Sequence, residues 1–178
     1  MNNAMDNFAT FKTWNDHGLP PTSANAIAPR KRPLSSFAPS IVVNDKGDVV
    51  LVITSTGSGT AITGTAQVLM RVLWMGHSVK EAVDCGRLHS QLYPRIVFHE
   101  RVTDNVRLKQ SFGLACCGSC STLQDVIAGL DHRGHKLTSL VWDGSVNVIA
   151  RSLNTKVFNT TYDYRQGISG GLDGGALT

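Results

Sequence analysis

The chain reads as an α+β fold built in layers, and three observations carry that reading. Two β-branched apolar runs, Ile41-Val42-Val43 and Val49-Val50-Leu51-Val52-Ile53, flank Asn44-Asp45-Lys46-Gly47-Asp48 and predict a hairpin. The second run leads through Thr54-Ser55-Thr56-Gly57-Ser58-Gly59-Thr60 into an apolar-periodic stretch from Ile62 to Trp74, which gives strand, glycine-rich turn and helix in succession. Ahead of both lies a segment, 1–39, that holds five of the six prolines and little periodicity, so it is expected to run as an extended loop over something larger. Residues 40–178 are expected to supply the sheet and helices, and 1–178 together to form a portion of a single domain.

Both runs of the first hairpin are continuously apolar, which predicts strands buried on both faces. The turn after the second strand precedes a helix start, where unpaired N–H groups and a partial positive charge suit an anion or a developing oxyanion. As a bare motif, such a turn is more often only a tight connection. Ser78, with Glu81 three positions on, forms a capping box for a second helix that ends near Cys85-Gly86. Another helix is placed at Asp104 to Phe112, and a further one at Leu123 to Leu130 with Gly134 as its stop. Val141 and Val146 to Ala150 flank Asp143-Gly144-Ser145 and predict a second hairpin, and Gly167 to Gly175 is a glycine-rich end.

A chain of 178 residues that is 42% hydrophobic can bury a core, which excludes disordered and fibrous classes. Its net charge of +4 comes with one basic run, Arg30-Lys31-Arg32, and no interleaved aromatics, so no nucleic-acid partner is expected. The apolar stretches fall short of the roughly 20 residues that cross a bilayer. The first eight residues lack the basic start and apolar run of an export signal. Asn159-Thr160-Thr161 is a glycosylation sequon, usable in an exported protein. Cys85, Cys116, Cys117 and Cys120 are too few and too clustered for a disulfide scaffold. Cys117 and Cys120 with His132 and His135 approximate a two-Cys, two-His zinc pattern, but only two residues separate the histidines where three to five are usual. A variable loop with free thiols is the preferred reading there, and no cofactor is expected.

Several segments occur in an order that identifies a family. They are Asn2-Asn3-Ala4-Met5-Asp6-Asn7-Phe8, the loop Lys31-Arg32-Pro33-Leu34-Ser35-Ser36-Phe37-Ala38-Pro39, Gly57-Ser58-Gly59-Thr60, Arg87-Leu88-His89-Ser90-Gln91-Leu92 with Pro94, and Asp163-Tyr164-Arg165-Gln166-Gly167. On these the chain resembles the C-terminal part of the small (light) subunit of gamma-glutamyltransferases, the glutathione hydrolases. The resemblance implies an Ntn-hydrolase-type αββα sandwich, present here in part and completed by a large-subunit partner. It also implies cleavage of the gamma-glutamyl bond of glutathione, with transfer to an amino acid or water, by an N-terminal threonine whose own amine is the base. In the family that threonine lies several dozen positions before the first of these motifs, so this chain alone is expected to be inactive and to take glutathione only if completed by upstream sequence. The family's location, secreted or on the outer face of the plasma membrane, is the implied location.

Carried over residue by residue, the resemblance makes Ser35 and Ser36 the hydroxyls that hold the glutamyl α-carboxylate. Asn7 stands where an acid pairs with the α-ammonium, and Ala4 stands where a second polar group would help; both positions are degenerate. Losing one partner of a desolvated charge pair costs roughly 3–5 kcal/mol. Ser58 and Gly59 fall at the oxyanion turn, with Ser58 in place of a glycine and one residue extra between Ile53 and Thr60. Displacing a donor there costs roughly 3–4 kcal/mol of barrier. Met5, Asp6 and Phe8 are expected to be structural, and Arg87, His89 and Gln91 to pack and hydrogen-bond around the sheet. A non-catalytic light-chain-like binding protein and a small metal module at the Cys/His cluster are the alternatives.

Overall fold

Asn44 closes the hairpin predicted at 41–53. Its side-chain oxygen accepts from the backbone N–H groups of Lys46 (3.0 Å) and Asp48 (2.8 Å), and Gly47 takes the positive φ of 83° that the turn requires. Strands β1 (Ser40–Val43) and β2 (Val49–Thr56) pair antiparallel across it. The structure is a computed structural model that describes residues 4–10, 13–14, 20–101, 123–142, 144–152, 155 and 157–166. The helix expected at 104–112, the glycine-rich end from Gly167, and Cys116, Cys117 and Cys120 lie outside the described residues.

After β2 come α1 (Gly59–Trp74) and α2 (Val79–Asp84). The box predicted for α2 is present: Ser78 Oγ accepts from Glu81 N at 3.3 Å while the Glu81 carboxylate accepts from Ser78 N at 2.9 Å. The chain then runs through β3 (Leu88–His89), β4 (Val97–Glu100), α3 (Leu123–His132), β5 (Leu137–Leu140), β6 (Ser145–Arg151) and β7 (Phe158–Thr161). Gly134, with φ 81°, stops α3 as the sequence predicts. The first segment has two short 3-10 turns, Ala4–Asn7 and Ser23–Asn25, and one bridge between Ala9 and Ala26.

Four strands form an antiparallel sheet in the order β1-β2-β6-β7, and three form a second sheet in the order β3-β4-β5. The hairpin expected around 143–145 does not form. β5 pairs in parallel with β4, and β6 pairs with β2 and β7, so the chain changes sheets between them. Local turn chemistry at Gly144 could not reveal that the preceding strand has a better partner far upstream.

Helices α1 and α2 cover one face of the four-stranded sheet, where Val68, Ala82 and Val83 pack on Leu51, Ile53, Val146 and Val148. Each of the valine, leucine and isoleucine side chains contributes about 1.5–3 kcal/mol of transfer free energy. The other face is open, which corrects the expectation of strands buried on both sides. Ile41 is 66% exposed, Val52 38% and Ile149 47%, and register places these three side by side across β1, β2 and β6. The apolar composition of both faces is real; among the described residues only one layer covers them.

A buried ionic cluster joins the two sheets. Arg87, fully buried, pairs with Asp163 (2.7 Å), and Arg165 bonds Asp163 (2.9 Å) and Glu100 (2.7 Å). Asp163 also accepts from the backbone N–H of Val146 in β6, and Glu100 from that of Arg87 before β3. Arg165 further donates to the carbonyls of Val83 and Cys85 at the end of α2. Burial pushes the Asp163 carboxyl up, but Arg87 and Arg165 outweigh it and hold the group below its ordinary value. Burial, reinforced by the charge of Arg165, pulls Arg87 down to about 10. Thus the Asp163-Tyr164-Arg165 motif quoted above is a clasp.

Candidate functional site

The proline-rich first segment folds over the start of α1, and one side chain holds it there. Asn25, 6% exposed, donates from Nδ2 to the carbonyl of Asn7 (2.7 Å) and accepts at Oδ1 from the N–H of Leu34 (3.0 Å). Its backbone carbonyl accepts from Ala9 N, which completes the tie between the turn bearing Asn7 and the loop bearing Ser35 and Ser36. Between this segment, α1 and β3 lies a cleft of about 420 Å³.

Asn7, Ser35, Ser36 and Gly59, far apart in the chain, all line this cleft. Ser35 Oγ accepts from Phe37 N at 3.1 Å, and this leaves its proton to donate outward. The cleft meets the N-terminus of α1 at Gly59, so the positive end of a four-turn helix faces its wall. Ser58 is the residue before that helix, half-buried, with no side-chain cap bond, and it is not part of the wall. Ala4 opens the 3-10 turn that ends at Asn7.

Sequence reasoning placed His89 and Gln91 around the sheet; they also form a wall of the cleft. Gln91 donates from Nε2 to the carbonyl of Tyr93 (2.8 Å), so its oxygen is the acceptor for His89 Nε2–H at 2.9 Å. His89 Nδ1 then faces the Thr63 hydroxyl of α1 at 2.9 Å. A Cβ added at Gly59 would lie 3.1 Å from Gln91 Oε1 and 3.3 Å from His89 Cε1. That close approach is why a glycine fits there. Gly57 is more constrained still: its φ is 111° and an added Cβ would come within 2.7 Å of Gly144 Cα. The local sequence carries no signal that His89 approaches Gly59, and Asn25 could be suspected only from the turn-forming Pro20-Pro21-Thr22-Ser23.

Of the zinc pattern, Cys117 and Cys120 lie outside the described residues; His132 ends α3 and His135 follows it, both exposed. No described helix is long and apolar enough to cross a membrane.

Comparison with known proteins gives a consistent picture. The family model described as gamma-glutamyltranspeptidase matches residues 1–171. Scoloptoxin SSD20 of Scolopendra dehaani is 37% identical over 175 residues, which cover 98% of this chain and 78% of that protein. The glutathione hydrolase proenzyme of Arthroderma benhamiae is 38% identical over 100 residues, 56% of this chain but 17% of its own length. The crystal structure of the T380A mutant of Helicobacter pylori gamma-glutamyltranspeptidase superposes with a TM-score of 0.74 at 33% identity, over 93% of this chain and 80% of that one. The chain thus spans most of one curated relative and less than a fifth of another.

Proposed function

The chain belongs to the gamma-glutamyltranspeptidase family, and from that premise we propose that its cleft is the carboxylate-holding half of an acyl-donor site, inert toward glutathione in residues 1–178 alone. The fold is the α+β, Ntn-hydrolase type of its structural neighbours. One observation carries the reading: Asn7, Ser35, Ser36 and Gly59, each matched to a site position by the family motifs, line a single cleft. Two serine hydroxyls and a helix N-terminus make a carboxylate-binding constellation, because charge-assisted bonds from pre-placed donors are short and strong.

In the family, turnover rests on an N-terminal threonine and its own amine, and that pair is not among the residues that line the cleft. Incubated with glutathione, the purified chain is expected to release no glutamate above a Ser35→Ala/Ser36→Ala control. Release above that control overturns the reading.

The open face of the four-stranded sheet supports a second part of the proposal, that a further polypeptide layer of large-subunit type covers it. Ile41, Val52 and Ile149 would otherwise leave an apolar strip in water. Export is the location the family motifs imply, and Asn159 of the sequon is exposed on the edge strand β7. Native purification followed by intact mass tests both. A co-purifying chain and a glycan on Asn159 are expected; a lone, unglycosylated, soluble polypeptide overturns this part.

A further inference from the structure

All four polar groups of Asn25 are engaged, and two of its partners lie far away in the chain. Its backbone N–H donates to the carbonyl of Thr22 (3.1 Å), and its own carbonyl accepts from Ala9 N (2.9 Å). Its side chain reaches 18 residues back to the carbonyl of Asn7 and 9 forward to the N–H of Leu34. The other described hydrogen bonds of the loop that bears Ser35 and Ser36 are local: Lys31 N donates to Ala28, Phe37 N to Ser35 Oγ and Ser40 Oγ to Ala38. The Asn7 turn divides in the same way, with Phe8 N closing on Met5 and Ala9 N going to Asn25. One buried amide thus joins the two pieces of chain that carry Asn7 and the serine pair into the cleft wall.

Only an amide meets both demands made on this side chain. Nδ2 donates to a carbonyl while Oδ1 accepts from an N–H; an ionised carboxyl only accepts, and a leucine does neither. Both ends are occupied by these bonds, so Asn25 acts on a ligand through the residues it holds. The packed core among the described residues takes no member from 1–39, so a change at Asn25 leaves that packing in place.

We propose that Asn25 is a positioning residue for the acyl donor: it sets the span between Asn7 and the Ser35–Ser36 pair, and with it the affinity for a gamma-glutamyl group. The proposal rests on the reading of the cleft as an acyl-donor site. It adds the side chain that gives the site its spacing.

Calorimetric titration of the full 178-residue chain with gamma-glutamylglycine, beside urea unfolding of the same samples, tests it. Asn25→Asp keeps the acceptor for Leu34 N but, when ionised, sets a negative oxygen against the Asn7 carbonyl. Near neutral pH it is expected to bind about tenfold more weakly than wild type, with an unchanged urea midpoint. Burial favours protonation of this carboxyl, which then has an O–H donor beside its C=O acceptor, the pattern of the amide. Mildly acid buffer is therefore expected to restore its affinity relative to wild type in the same buffer. Asn25→Leu, with neither group, is expected to bind at least as weakly and to show no such recovery. Unchanged affinity in both variants overturns the positioning role and leaves the cleft reading intact. A loss without acid recovery in Asn25→Asp, or one matched by a fall in urea midpoint, does the same, because Asn25 then only supports the fold. Absence of wild-type binding at millimolar ligand overturns both.

Discussion

The ionic clasp and the cleft are neighbours built on opposite electrostatics. In the clasp, Arg87, Glu100, Asp163 and Arg165 are withdrawn from water and each faces an opposite charge within 3.2 Å. In the cleft, no described acidic side chain lines the wall, and the polar groups are hydroxyls, amides and the imidazole of His89. The two regions share strand β3: Arg87 just before it enters the clasp, and His89 at its end enters the cleft. Carboxylate–guanidinium pairs are therefore concentrated where they fix the fold, and among the described residues none lines the cleft. Stability and binding should accordingly separate under mutation, with the clasp affecting both and the cleft only one.

The largest effect is expected from cutting the clasp. Asp163→Asn leaves Arg87 and Arg165 buried without their shared counter-charge and should cost about 3–5 kcal/mol of unfolding free energy in a urea titration. A cost below about 1 kcal/mol would mean that the remaining bonds to Glu100 suffice, and the contrast with the cleft would collapse. The same residue sets an acid limit. Its folded pKa is lowered, so its contribution is complete above the unfolded value of about 3.9 and is lost as pH falls through the folded value. The wild type should lose stability in that acid window relative to Asp163→Asn, and parallel curves would count against the assignment.

A middle effect tests the turn between β2 and α1, the helix whose first residue lines the cleft. Gly57 and Gly47 both have positive φ, but an added Cβ meets Gly144 Cα at 2.7 Å in the first case and open space in the second. Gly47→Ala should cost about 1–2 kcal/mol for backbone conformation alone. Gly57→Ala should exceed it by at least about 1 kcal/mol, because backbone must also move. Equal melting shifts would show that the turn relaxes freely.

What the sequence revealed follows the same division between local and distant causes. The Asn44 hairpin and the Ser78/Glu81 box depend on residues at most a few positions apart, and both were legible. The parallel pairing of β5 with β4 depends on Leu137 finding Val97, and turn residues near Gly144 pointed instead to a hairpin. Continuous apolarity in β1 and β2 predicts burial on two faces, but a sequence pattern does not carry whether the second covering layer belongs to the same chain. At the site, the family motifs singled out Asn7, Ser35, Ser36 and Gly59 one by one. Their convergence, and the part played by Asn25 and His89, is a tertiary fact with no periodic trace.

The smallest effect on stability should accompany a large one on binding. Ser35 is exposed, and its hydroxyl accepts one bond, from Phe37 N within its own loop, so Ser35→Ala should change unfolding free energy by less than about 0.5 kcal/mol. The donor it offers to a carboxylate is a charge-assisted one, and its loss should weaken binding of a gamma-glutamyl ligand about 10- to 100-fold. Urea titration and calorimetry on the same preparation read both quantities. If Ser35→Ala melts the loop instead, stability and affinity will fall together, and Ser35 then belongs with Asn25 among the residues that hold the cleft shut rather than those that hold its ligand.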